Sequence, residues 1–215
     1  MKTLCLCTLL LIAPALFCQS PSVAPAAPTP TIPTLTNVNR EVLQLVIEDQ
    51  WDRGNDMFGG RQVAKYEDLD WPHIGARDEV RHAAMRKLIA AGKLQSGDDF
   101  FFAALIFQHS AKPEELLLAH ILAVTAVEKG SSSAKPLAAA TMDRYLQSAQ
   151  HAQIFGTQFR KGADGKWTME PYEKATLSDA ERALWCIVPL AEQEKILAES
   201  QQGKPPASTK ISGCQ

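Results

Sequence analysis

The sequence predicts a mainly α fold, a single-domain bundle of about six helices with one small β-hairpin near residues 153–172. Three observations predict it. Apolar residues recur at helical spacing in successive segments between residues 38 and 148, separated by Gly, Pro and Ser breaks. Leu116–Val127 is apolar on every side except at His120 and Thr125, as a central buried helix would be. Around Asp164-Gly165 the period switches to two, with Phe155, Thr157 and Phe159 alternating on one side and Trp167 and Met169 on the other.

Taken in order, a helix starts near Asn37, a good N-cap, and places Val38, Val42, Leu45, Val46 and Asp49 on one face before Gly54 or Gly59-Gly60 ends it. Residues 59–73 read as an irregular loop, with Trp71-Pro72 opposing a helix there. A second helix, about Arg77 to Ala91, has the core face Val80, Ala84, Leu88 and Ala91 and a C-cap at Gly92. Ser96 or Asp98 caps the third, Asp99 to His109. Pro113 suits the first turn of the fourth, which runs to Lys129. Ser131-Ser132-Ser133 links it to a fifth, Ala134 to Ser148. After the hairpin, Ser178-x-x-Glu181 is a capping box, and Pro189 splits the last helical stretch into two pieces ending near Ser200. The third to fifth helices have the lengths of helical-hairpin repeats, but no period of fixed length recurs.

The segments flanking this 37–200 domain read differently. Lys2 followed by the uncharged run Leu4–Phe17 has the make-up of a signal peptide, too short to cross a bilayer as a helix, which takes about 20 residues. Cleavage is expected after Cys18, with Ala24-Pro25-Ala26 as the second choice, and the mature protein is expected to be exported, periplasmic or secreted. Residues 19–36 hold five prolines and read as an extended, disordered tether. Residues 201–215 are polar and expected to be disordered. Loss of residues 1–18 moves the net charge from −2 to −3. That balance offers no basic patch for nucleic acid, and no later segment is apolar enough to span a membrane. Cys186 sits in the apolar run Ala183–Val188, where a buried inert thiol is the default; a bond to Cys214 is allowed in an oxidising compartment.

The candidate site comes from polar residues on apolar helices. His120 and Asp143 each interrupt an apolar face and lie about 11 residues on either side of the Ser131–Ser133 linker, so an antiparallel hairpin sets them level, roughly 17 Å from the turn. The plain reading is a structural His–Asp hydrogen bond; the other is a carboxylate-oriented histidine working in catalysis or on a metal. His109 ends the third helix near where the fifth delivers Gln153–Gln158, so Gln108, His109, Gln153, Thr157 and Gln158 are expected to share a rim, with Gly156 marking a close backbone approach. A solvent-facing histidine at a helix C-terminus is the bland alternative. Asp49 and Arg53 read, on spacing alone, as a surface ion pair, and His73 and His82 as solvent residues.

Six stretches, in order, resemble a family of uncharacterised bacterial proteins, an exported helical domain of unknown function. They are Asp49-Gln50-x-x-Arg53, Arg77-Asp78-x-x-Arg81, Ala103–His109, Ala119-His120-x-Leu122-Ala123, Asp143-Arg144-Tyr145-Leu146 and Gln153-x-Phe155-Gly156-Thr157-Gln158. The likeness spans roughly residues 45–200; Ser110 and Ala111 depart from the Gly or acid common in that family. With no established activity there, the resemblance implies a shared site and lends no reaction. It implies that Asp49, Gln50, Arg53 and Arg144 join Gln108, His109, Gln153, Thr157 and Gln158 in it, with His109, His120 and Asp143 the candidates for chemistry. The leading expectation is a pocket for a small molecule or a protein partner. A hydrolase using His/Asp acid–base or metal chemistry and a repeat-like scaffold are the alternatives. No metal-ligand set is assigned, and no cofactor is specified.

Overall fold

Asn39, not Asn37, opens the first helix: its side chain accepts the Glu41 and Val42 N–H groups. The structure, a computed structural model, describes residues 37–57 and 59–214, so the leader and tether expected over residues 1–36 lie outside the described residues. Helix α1 (Arg40–Asp52) buries Val42, Leu43, Val46 and Asp49. A two-residue antiparallel ladder follows, β1 (Asn55–Asp56) with β2 (Arg61–Gln62), the second strand falling in the 59–73 stretch expected to be irregular.

Helix α2 (Trp71–Ala90) starts where the sequence reading opposed a helix. Asp70 caps it through the His73 N–H, and Pro72 falls in the first turn, where a missing N–H leaves no bond unmade. Its core face also differs from the expected one. Val80 is 70% exposed, whereas Ile74, Asp78, Arg81, His82, Met85 and Leu88 are buried. Leu88 keeps its expected place, but Arg81 and Met85 take the inward positions expected of Val80 and Ala84, one residue or about 100° away, because Asp78 and Arg81 find charged partners on α1 and turn inward with them.

Helix α3 (Gly97–Phe107) begins with a Ser96–Asp99 capping box, and Asp99 also accepts the Asn39 N–H at 2.7 Å, which fastens the start of α3 to the start of α1. Helix α4 (Pro113–Glu128) packs between α3 and α5 (Lys135–Ser148). Ala103, Ala104, Ala119, Ala123, Ala126 and Ala138 are fully buried, and their small side chains allow the three helices to approach closely around Phe102, Ile106, Phe107, Leu122 and Leu137. The central position holds, but α4 keeps one open edge, with Ile121 53% and Val124 38% exposed.

Beyond α5 the chain folds back. The strands β3 (Arg160–Lys161) and β4 (Trp167–Thr168) form the hairpin, paired Arg160 with Thr168 and Lys161 with Trp167. Residues 153–159, expected to alternate as a strand, form a loop instead. Helices α6 (Asp179–Leu184) and α7 (Leu190–Ser200) follow, the first opened by the Ser178–Glu181 capping box and the second by Pro189. A second apolar cluster of Ala139, Phe155 and Ile187, with Trp185 against it, joins this part to α5.

The tail is tied to the domain near its end. Cys186 and Cys214 form a disulfide with Cα atoms 5.7 Å apart. Thr209 O accepts the Val188 N–H, Cys186 O accepts the Ile211 N–H, and Thr209 is buried. Thus residues 201–214 pack on the domain through their last third. Among the described residues no helix is long and apolar enough to cross a membrane.

Candidate functional site

Two polar clusters and one cleft gather most of the sequence candidates. The first cluster lies where α1, α2 and the end of α3 meet. Asp49, with no exposure, accepts Arg53 Nη1 at 2.8 Å and Gln50 Nε2 at 2.8 Å. Arg53 Nη2 reaches Asp78 Oδ2 at 2.6 Å, Arg81 Nη2 reaches Asp78 Oδ1 at 2.6 Å, and Arg81 Nη1 reaches Asp52 Oδ2 at 2.6 Å. The Asp49–Arg53 pair expected on the surface is therefore a buried strut. One helical turn sets Asp49 beside Arg53, but α2 supplies the partners that draw both inward. Burial pulls the Asp78 carboxyl upward, yet the guanidinium groups of Arg53 and Arg81 outweigh it and hold the acid below its usual 3.8.

His109 completes this cluster. Its Nδ1 stands 3.2 Å from Asp49 Oδ1, and its side chain is 18% exposed. Burial lowers its pKa below the usual 6.5, against the pull of Asp49, with Arg53 and Arg144 adding positive charge. The imidazole is thus neutral at pH 7, oriented by a carboxylate. Gln108 lies half-buried beside it as the C-cap of α3.

The second cluster centres on Asp143, fully buried on α5. Its Oδ1 accepts the N–H groups of Ile154 (2.9 Å) and Phe155 (3.0 Å); its Oδ2 accepts the N–H (2.9 Å) and hydroxyl (2.7 Å) of Thr157. All four bonds shape the 153–158 loop. Burial pushes the Asp143 carboxyl above its usual 3.8, with those bonds pulling the other way. Gln153, also with no exposure, braces the loop: its Oε1 accepts the Gln158 N–H, and its Nε2 donates to the carbonyls of Gln158 and Met169. Gly156 takes φ +76°, and a Cβ there would stand 2.2 Å from Gln193 Oε1, so the expected close approach is present.

The expected His120–Asp143 contact is not formed. His120 Nδ1 bonds the Ala138 carbonyl at 2.9 Å, and burial lowers its pKa below 6.5 against that bond. The return towards α5 begins early, because the 3-10 turn Ser132–Ala134 already packs back along α4. His120 therefore comes level with Ala138, five residues or roughly 7.5 Å of helix short of Asp143. His82 departs from its solvent reading too. It is 2% exposed, with Nε2 3.2 Å from Ile106 O and Nδ1 2.9 Å from the buried Glu115. The shared rim is likewise divided: His109 belongs with Asp49, Gln153 is a buried brace, and Thr157 and Gln158 face a cleft.

That cleft, about 650 Å³, opens between α3, α5, the hairpin and the tail. Phe101, Leu105, Phe159, Trp167 and Ile187 give it apolar walls, and its polar groups include Arg144, Thr157, Gln158 and Lys210. Among the described residues no aspartate or glutamate lines it, in a chain with 24 acids to 22 bases. Arg144 links the two halves of the candidate set, since it lines the cleft and acts on the His109 imidazole. The tail residues of this cleft carry no sequence signal, whereas Arg77-Asp78-x-x-Arg81 shows the charge pattern that α2 turns inward. Among the described residues no group of three His, Cys, Asp or Glu side chains is arranged to hold a metal. Compared with known proteins, the chain matches no family model, no curated protein and no solved structure.

Proposed function

We propose that the domain binds a small amphipathic organic anion in the cleft between α3, α5 and the tail. The observation that carries this reading is the make-up of the walls: two cations, a primary amide, three aromatic rings and, among the described residues, no Asp or Glu, on a protein of net charge −2. The volume of about 650 Å³ falls within the roughly 300–1,000 Å³ of small-molecule sites. Arg144 and Lys210 supply the charge that a carboxylate, sulfonate or phosphate head would meet, and the rings cover an apolar body. Gln158 donates to Thr157 Oγ1 at 2.9 Å, which aims its amide from a loop already fixed by Asp143.

Calorimetric titration with decanoate, decylamine and decanol tests it. Decanoate is expected to bind and decylamine not to bind, with Arg144→Gln weakening decanoate by about tenfold or more, the worth of one charged hydrogen bond. Equal binding of the amine and the acid would sink the proposal.

A second reading rests on His109. A neutral imidazole oriented by a fully buried Asp49 is arranged as a general base is. Hydrolysis of p-nitrophenyl decanoate that is lost in His109→Gln but kept in His120→Gln would favour it. An unchanged rate in both would remove it.

A further inference from the structure

The wall of the cleft built from Pro206, Ala207, Ser208, Thr209 and Lys210 is lightly tied to the rest of the domain. Thr209 is its one buried residue, and two backbone hydrogen bonds hold it, Val188 N–H to Thr209 O at 2.8 Å and Ile211 N–H to Cys186 O at 2.7 Å. Ordering a segment of this length on so little buried surface is entropically unfavourable. The covalent tie is the Cys186–Cys214 disulfide, which closes the chain over a separation of 28 residues beside both hydrogen bonds.

We propose that this disulfide gates the cleft: the anion site is complete when Cys186 and Cys214 are joined and loses one wall, with Lys210, when a dithiol reduces them. The inference rests on the cleft being the ligand site. Cys186 is 1% exposed and Cys214 is half-buried, so attack falls on the Cys214 sulfur. A thiolate of the dithiol bonds to Cys214 Sγ, and Cys186 leaves as a thiolate and takes a proton. The second thiol of the reductant then displaces Cys214, which also ends as a thiol. Two electrons pass from the dithiol, released as a cyclic disulfide, to the protein. Freed at its far end, the strap keeps two hydrogen bonds exposed to competition from water, and Lys210 is no longer held in the cleft wall.

The test uses the full chain in three forms: oxidised, reduced with dithiothreitol, and Cys214→Ser. Decanoate affinity and amide exchange are read on each. Reduction is expected to speed exchange of the Val188 and Ile211 amides, to leave those of Phe107 and Ala119 unchanged, and to weaken decanoate by about tenfold. Cys214→Ser should match the reduced form and ignore the dithiol. Equal decanoate affinity in all three forms overturns the gate and leaves the ligand reading intact. Binding to none of them sinks the ligand reading and the gate with it. Exchange that spreads to Phe107 and Ala119 means loss of the whole fold on reduction, and that too overturns a local gate.

Discussion

His109 Nδ1 and Asp49 Oδ1 stand 3.2 Å apart, sixty residues distant in sequence, at the point where α1 meets the end of α3. The same carboxylate carries Arg53 and Gln50, and through Arg53 it reaches Asp78 on α2. Removing it leaves Arg53 and the imidazole facing a void. Asp49→Ala is therefore expected to cost about 3–5 kcal/mol, the range for breaking one side of a buried pair. Urea unfolding measures it. A loss under 1 kcal/mol would mean that Asp78 alone suffices to hold Arg53.

Acid should weaken the fold in two separate windows. Burial lowers both His109 and His120 below their usual 6.5. Between 6.5 and each folded value the unfolded chain binds more protons than the native one, so stability falls with pH there. The slope is up to about 1.4 kcal/mol per pH unit for each histidine; above 6.5 both are neutral in either state and the contribution is complete. Asp78 and Glu115 are lowered from their usual 3.8 and 4.5, so their contributions are complete above those values and are lost only as pH falls further. Urea midpoints at a series of pH values should show the first decline beginning near 6.5, with a shallower slope in His120→Gln. The raised Asp143 carboxyl works the other way, adding stability as pH falls, so the comparison with His120→Gln decides: equal slopes in the two proteins would contradict the buried neutral state of His120.

Asp143→Ala is expected to cost roughly 3 kcal/mol or more, because it orphans three N–H groups and a hydroxyl at once. His120→Ala should be milder, since it loses one bond to the Ala138 carbonyl. The two share no partner, so the double mutant should equal their sum to within about 0.5 kcal/mol. A coupling larger than that would restore the direct contact that hairpin symmetry suggested.

Gly156→Ala should destabilise by about 2–4 kcal/mol, from the positive φ and from contact with Gln193 and Tyr172. Gly165→Ala is the control: the φ is also positive, at +76°, but nothing stands within 4 Å, so the loss should be near 1 kcal/mol. Thermal melts of the two variants decide whether crowding or backbone conformation dominates at Gly156.

Helix existence was legible because caps and apolar period act locally: Ser96 (one of two candidate caps), Pro113 and Ser178–Glu181 each mark a start that the structure keeps. Facing was less legible. A hydrophobic stripe places α2 with Val80 inside, but a polar face paired with another helix outweighs it, and pairing across 25 to 29 residues leaves no periodic trace. The separation of His120 from Asp143 hung on where a helical turn begins its return, which equal counting from a linker ignores. His109, Asp49, Arg53 and Arg144 were all marked by their motifs, whereas the strap was missed, since a polar tail shows its order only once Cys214 has a partner.

Helix α2 meets its neighbours through a polar middle, Asp78, Arg81 and His82, between apolar ends at Ile74, Met85 and Leu88. A charged and a neutral denaturant should therefore disagree about this protein. Guanidinium chloride is a salt and a competitor for aspartate, and it should detach α2 from α1 at concentrations that leave the alanine-packed contacts of α3, α4 and α5 intact. Urea, being neutral, should take the two together. A biphasic melt in one denaturant and a single transition in the other would be the signature of a bundle whose layers are joined by different forces.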